Sequence, residues 1–201
     1  MTIRTILIDF GGVLVRTEDR SPRRQAAERL GMSEQELERV VFESESSRLA
    51  SLGKIPEEEH WRAVAESLRL PPSEADHIIA DFFAGDRLDT VWLDFLRSLR
   101  PNYKIGLISN AWSGLRAWIT RQGFADVFDR MIISAEVGLM KPDPRIYLLA
   151  LQELDAQADE SVFIDDMLVN VEAARVVGMS GIHFTHPQAA LDELRSLLNH
   201  A

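Results

Sequence analysis

Asp9, Ser109, Lys141 and the adjacent pair Asp165-Asp166 are residues whose types, taken together, suit phosphoryl transfer. Each closes or follows a short apolar run. Asp9 leads into Phe10-Gly11-Gly12-Val13 and Ser109 into Asn110. Lys141 lies in Gly138-Leu139-Met140-Lys141-Pro142-Asp143-Pro144, and Asn170 comes one helical turn after Asp166. Three carboxylates brought together repel one another unless a cation sits between them. Hard oxygen ligands with open positions suit Mg²⁺, which keeps several waters and binds a substrate phosphate. Lys141 would balance the negative charge that remains. The Ser109 hydroxyl, the Asn110 amide and the backbone N–H groups of Gly11 and Gly12 are donors for phosphate oxygens. Fixed charges and dipoles of this kind stabilise a phosphoryl-transfer transition state. One Asp at a strand end is more often a turn former or helix cap, so the chemistry depends on all these positions meeting.

The surrounding elements are expected to make them meet. Five β-branched or apolar runs stand out: Thr5–Asp9, Ile105–Ser109, Met131–Ser134, Val162–Asp165 and Gly181–Phe184. They are too short for buried helices and nearly continuous, as central strands of a parallel sheet covered on both faces are. Helical patterning separates the last four. Leu115–Gln122 precedes Gly123, Arg145–Leu154 follows an Asp143-Pro144 start, and Val169–Val177 ends at Gly178. This alternation predicts an α/β fold, a doubly wound, Rossmann-like parallel sheet. Ligands in such sheets bind beyond the carboxyl ends of the strands, where Asp9, Ser109-Asn110 and Asp165-Asp166 fall.

Residues 16–87, between the first strand and the second, carry no strand signal. Ser21–Leu30, Ser33–Leu52, Pro56–Leu70 and Ser73–Ala84 read as helices, punctuated by Gly31, Gly53 and Pro71-Pro72. An insertion of that size is more than a crossover helix. The expected organisation is a core domain of residues 1–15 and 88–201 with an inserted α-helical cap subdomain, residues 16–87.

Composition narrows the partners. The chain's 201 residues suffice for one α/β core and a small insertion, and 46% hydrophobic with 27% charged residues is ordinary for a globular protein. The absence of cysteine excludes disulfides, thiolate metal sites and a cysteine nucleophile, and fits a reducing compartment. A net charge of -10 argues against nucleic acid or an anionic membrane as partner. Any phosphate site must then be made locally positive, by a divalent metal and a few basic groups. No stretch approaches the roughly 20 apolar residues of a membrane span. The N-terminal apolar run is broken by Asp9 and has no cleavage pattern. The expectation is a soluble, cytoplasmic monomer or homodimer.

Together with Gly123-Phe124, Phe128-Asp129, Ser134, the run Lys141 to Tyr147 and the stretch Asp166 to Gly178, these motifs resemble the haloacid dehalogenase-like superfamily. The branch is the one with a helical cap between strands one and two, and the resemblance covers essentially the whole chain. It implies a Mg²⁺-dependent phosphatase acting on a small phosphorylated metabolite. Asp9 would attack phosphorus and form an aspartyl-phosphate that water hydrolyses. Ser109 would bind the phosphoryl group, with Asn110 supporting the turn or touching substrate. Lys141 would pair with both Asp9 and the phosphoryl oxygens. Asp9, the Gly11 carbonyl, Asp165 and Asp166 make up the implied metal set, with Asn170 supporting it from behind.

One position departs from the family pattern. Most phosphatases of the superfamily carry a second Asp two residues after the nucleophile as general acid and base, and here that position is Gly11. The carbonyl survives the change; a donor commonly worth roughly 10²–10⁴-fold in rate does not. Three readings follow: a phosphatase with a good leaving group or a proton from elsewhere, a dehalogenase, or a binding protein of little activity. Glu18 and Asp19 are candidate substitutes. A dehalogenase needs no metal, yet two adjacent carboxylates near Asp9 would be costly to hold without one. Arg16 and Thr17 could meet the substrate or form a solvated linker, Trp112 could line the pocket or pack the start of the next helix, and Phe42, Arg48 and His60 could face the active site. Trp61, Phe82 and Phe83 have helix-packing spacing. The Glu57-Glu58-Glu59 run reads as a helix start favoured by the helix dipole, and His183 as a packed strand residue.

Overall fold

The computed structural model describes residues 2–199. In chain order the elements are β1 (Thr5–Ile8), β2 (Val15–Thr17), α1 (Ser21–Arg29), α2 (Glu34–Phe42), α3 (Glu45–Ser51), α4 (Glu57–Ser67), α5 (Pro72–Phe83) and β3 (Asp86–Leu88). There follow α6 (Thr90–Leu99), β4 (Lys104–Ser109), α7 (Leu115–Gln122), β5 (Arg130–Ile133), α8 (Ser134–Val137), α9 (Pro144–Glu153), β6 (Ser161–Asp165), α10 (Leu168–Val176), β7 (Ser180–His183) and α11 (Pro187–Asn199). None of the described helices is long and apolar enough to cross a membrane.

The five long strands form one parallel sheet in the order β5-β4-β1-β6-β7. From β1 the chain builds β4 and β5 on one side, then returns to add β6 and β7 on the other. The order reverses at β1, and the crevice beyond its carboxyl end is a ligand position in such sheets. Alternate side chains enter opposite layers. Ile6, Ile8, Ile105 and Leu107 pack with Trp92 and Leu96 of α6 and with Leu191 and Leu194 of α11. Leu7, Ile108 and Phe163 pack with Ile146, Tyr147 and Ala150 of α9 and Ala174 of α10. Burial on both faces is why these strands read as unbroken apolar runs.

Helix ends follow their local chemistry. Asp143 accepts the Arg145 N–H with Pro144 at the first helical position, and Gly123, at φ 79°, ends α7 in the left-handed region. Two expectations need correction. Ser33–Leu52, read as one helix, is two, because Ser44 adopts an extended backbone and its side chain accepts the Ser47 N–H. Serine competes with the backbone for its own hydrogen bonds, which apolar periodicity does not register. Residues 16–87, read as strandless, begin and end in an antiparallel ribbon pairing Val15 with Leu88, Arg16 with Arg87 and Thr17 with Asp86. Strands of three half-buried residues are too short to show alternation. The ribbon is pinned by Thr17 Oγ1 donating to Asp86 (2.6 Å) and by Arg16 donating to Val13 O (2.6 Å) and Asp89 (2.7 Å).

Helices α1, α2, α4 and α5 carry an apolar cluster of their own: Ala26, Ala27, Leu37, Val41, Val64, Ile78 and Phe82. Trp112, from the loop after β4, packs against that cluster. Its ring lies near those of Phe42, His60 and Trp61, and its Nε1 donates to Ser47 Oγ at 3.3 Å.

Candidate active site

The turn after β1 delivers Asp9. Its backbone N–H still donates to Ile164 O of β6 (2.9 Å), after which the chain bends so that Leu14 and Val15 both donate to Phe10 O. Gly12 sits at φ 78°, and a Cβ there would run into the Asp166 carboxylate. Only glycine meets both conditions. The bend leaves Asp9 only 7% exposed, with its carboxylate accepting the Phe10 N–H at 2.7 Å.

Lys141 comes from the loop between α8 and α9 and is itself buried. Its Nζ lies 2.7 Å from Asp9 Oδ1 and 2.6 Å from Asp165 Oδ2. Asn110, at the end of β4, orients this loop: its Nδ2 donates to Lys141 O and its Oδ1 accepts the Lys141 N–H, both at 2.8 Å. The Asn110 side-chain amide is thus committed to the lysine backbone. Ser109 beside it is buried at the strand end. Ser134 ties the neighbouring loop in place, accepting the Ala111 N–H at 3.0 Å.

The acidic pair divides. Asp165 is wholly buried and, besides Lys141, accepts the Met167 N–H (2.7 Å) and Asn170 Nδ2 at 3.0 and 3.1 Å on its two oxygens. Tyr147 donates to Asn170 O at 2.9 Å and so braces that helix start from the core. Asp166 is only partly buried, with its carboxylate against Gly12. Oxygens of Asp9, Asp165 and Asp166 all lie within 4.8 Å of one another. That spread is close to the roughly 4 Å separating opposite ligands of an octahedral Mg²⁺, and the donors are the hard oxygens it prefers. The residues fit the ion.

Burial pushes the Asp9 carboxyl up to about 7 from its ordinary 3.8; Lys141 opposes the rise and the Asp165 charge adds to it. Burial, then Asp165, also raises Asp166. A carboxyl whose folded pKa lies above its unfolded value costs stability as pH climbs from the unfolded value through the folded one. Metal-free protein is therefore expected to lose stability between about pH 4 and pH 7 through Asp9. Thermal melts in EDTA should show Asp9→Asn gaining on wild type as pH rises, and Mg²⁺ should stabilise wild type more at pH 8 than at pH 5. Parallel melting curves for the two proteins across pH would contradict this.

Other candidate residues lie elsewhere in the network. Arg16 and Thr17 belong to the ribbon, and Arg48 pairs with Glu45. Glu18 lies 3.6 Å from Arg16, and Asp19 accepts the Ser21 N–H. His60 is fully buried with Nδ1 at 2.9 Å from Ser46 Oγ, and burial holds its pKa down to about 4, so the ring is neutral. His183 Nε2 lies 3.0 Å from Asp166 O. Glu57 has a role its helix-start position did not suggest. Oε2 accepts the Gly114 N–H (2.8 Å) and Oε1 the Trp61 Nε1–H (3.2 Å), joining α4 to the loop after β4. No local signal marks it, since the contact joins residues 57 positions apart.

A family model for haloacid dehalogenase-like hydrolases matches residues 3–178. The chain belongs to that family. Among curated relatives of this hydrolase, the sesquiterpene phosphatase astK of Aspergillus oryzae is 28% identical, the alignment covering 98% of this chain and 97% of the relative. The D-ribitol-5-phosphate phosphatase of Bacteroides thetaiotaomicron is 25% identical over 98% of this chain and 99% of its own. Other relatives are longer proteins, of which this chain spans about a third or less. A HAD family enzyme of B. thetaiotaomicron, solved with magnesium and inorganic phosphate, superposes with a TM-score of 0.75 at 26% identity. That superposition covers 90% of this chain and 93% of the other.

Proposed function

We propose that this hydrolase is a Mg²⁺-dependent phosphatase that cleaves a small phosphorylated metabolite through an aspartyl-phosphate on Asp9. The observation that carries the reading is the buried Lys141 Nζ bonded to both Asp9 and Asp165, beside a third carboxylate within 4.8 Å. A lysine alone leaves that cluster short of positive charge, and a divalent cation completes it. Three converging carboxylates also speak against metal-free dehalogenation. The two phosphatase relatives and the neighbour holding magnesium and phosphate support the same reading.

Asp9, Asp166 and the Gly11 carbonyl would hold the ion, with Asp165 closing the acidic set from below. When bound, Mg²⁺ supplies the charge that offsets the substrate phosphate and the carboxylates. The chain's own residues do the rest. Asp9 presents an oxygen to phosphorus, and Lys141 neutralises the equatorial oxygens while Asp165 and Asn110 fix where its ammonium sits. Ser109 and the Gly11 N–H receive the phosphoryl oxygens; the Gly12 N–H, expected to join them, already donates to Val15 O at 2.9 Å. Residues 16–87 form a cap over the strand ends that limits the substrate to small molecules and keeps bulk water out.

Purified protein should hydrolyse p-nitrophenyl phosphate in the presence of Mg²⁺ and lose that activity in EDTA, recovering it when the metal is restored. Turnover insensitive to EDTA, or turnover of a haloacid in its place, would overturn the reading.

A further inference from the structure

We propose that this site is specialised for phosphoryl groups carried on an acidic oxygen (the anomeric hydroxyl of a sugar, a carboxylate or another phosphate) and handles simple alcohol phosphates poorly. The inference rests on the phosphatase reading above. Its ground is the space at Gly11. The Gly11 backbone lies outside the left-handed region, and a Cβ built there would meet no heavy atom within 4 Å. The position can take a side chain without strain, yet it has none.

The titratable groups around it are held elsewhere. Lys141 is bound between Asp9 and Asp165, and Asp165 is saturated by Lys141, Asn170 and the Met167 N–H. The Asp166 carboxylate lies against Gly12 on the metal side, and His183 Nε2 sits on the Asp166 carbonyl. Glu18 is paired with Arg16.

The chemistry follows from where protons are needed. In the first step an Asp9 oxygen bonds to phosphorus as the bond to the leaving oxygen breaks, and that oxygen departs with the electron pair. With no positioned acid it leaves as an anion and takes its proton from water afterwards. The leaving group must therefore bear the charge by itself. In the second step water bonds to phosphorus and the Asp9 carboxylate departs, needing no proton; the water's proton passes to solvent or to the released phosphate. The missing group thus penalises the first step more as the leaving oxygen becomes more basic, while the second step lacks base help on water equally for every substrate.

The test is kcat/KM with Mg²⁺ over a series of aryl and alkyl phosphates, for wild type and Gly11→Asp, with melting curves as a control on folding. Wild type is expected to fall steeply, about tenfold per unit of leaving-group pKa. Gly11→Asp should flatten the series and gain about 10²-fold on an alkyl phosphate such as ribitol 5-phosphate. The gain should shrink toward the acidic end. Glucose 1-phosphate should exceed glucose 6-phosphate as a substrate of wild type, and acetyl phosphate and diphosphate identify the other acidic sources. Brisk wild-type turnover with a flat series, or glucose 6-phosphate as the better substrate, would overturn this inference alone. Absence of metal-dependent turnover even on the most acidic aryl phosphate would overturn the phosphatase reading and this inference with it.

Discussion

Asp9→Asn is expected to lower turnover by roughly 10⁴-fold or more, the scale of loss when a nucleophile that works within a coupled group is removed. The amide is nearly isosteric with the carboxylate, and the position is 7% exposed, so packing changes little. What disappears is the anionic oxygen that forms the covalent bond and one partner of the Lys141 ammonium at 2.7 Å. The lysine keeps Asp165 at 2.6 Å and stays in place. The variant should therefore remain folded and still bind inorganic phosphate while failing to turn substrate over. Rapid quench of the wild type followed by mass spectrometry should find the phosphoryl adduct on the peptide containing Asp9. Activity of the variant within tenfold of wild type would show that water attacks phosphorus directly.

Lys141→Met is expected to damage both rate and stability. Lys141 is 4% exposed, and its ammonium lies between two buried carboxylates. Replacing it with an apolar chain of similar length leaves Asp9 and Asp165 facing one another without a counterion. Removing one partner of a buried ion pair typically costs about 3–5 kcal/mol. The deficit should be largest at neutral pH and shrink as pH falls, because protonating Asp9, whose carboxyl burial already pushes up, relieves the repulsion. Mg²⁺ should recover part of the stability. Turnover should drop by at least about 10³-fold, since a fixed charge aimed at the transferring oxygens is gone. Chemical denaturation at two pH values and steady-state kinetics with Mg²⁺ check the two halves. A variant as stable as wild type at pH 8 would mean that the carboxylates are not ionised together in the metal-free protein.

Much of this is legible in the sequence alone. A parallel strand buried on both faces must be apolar throughout, so β1, β4 and β6 stood out as runs ended by polar residues. The same rule placed Asp9, Ser109 and Asp165 at carboxyl ends. Helices α6 and α11 went unread although Trp92, Leu93 and Leu96 recur at helical spacing behind the Asp89 cap, where Asp89 accepts the Trp92 N–H. The break between α2 and α3 depends on Ser44 choosing a local hydrogen bond, a preference too weak to outvote periodicity from sequence.

The amino-acid sequence by itself determined the alternation of strands and helices and carried the motifs of the family, because each of these is written in local patterning and residue type. Only the tertiary structure decided the division of labour among them. It turned Asn110 toward the Lys141 backbone, closed Asp165 inside the core while leaving Asp166 partly open, and set Glu57 of the helical segment against Gly114. It also left open space where a side chain at Gly11 would stand. The physical reason is that burial and hydrogen-bond partnership are properties of residues distant in the chain. Two adjacent aspartates are equivalent as residue types and become different only when one is surrounded by donors from other elements.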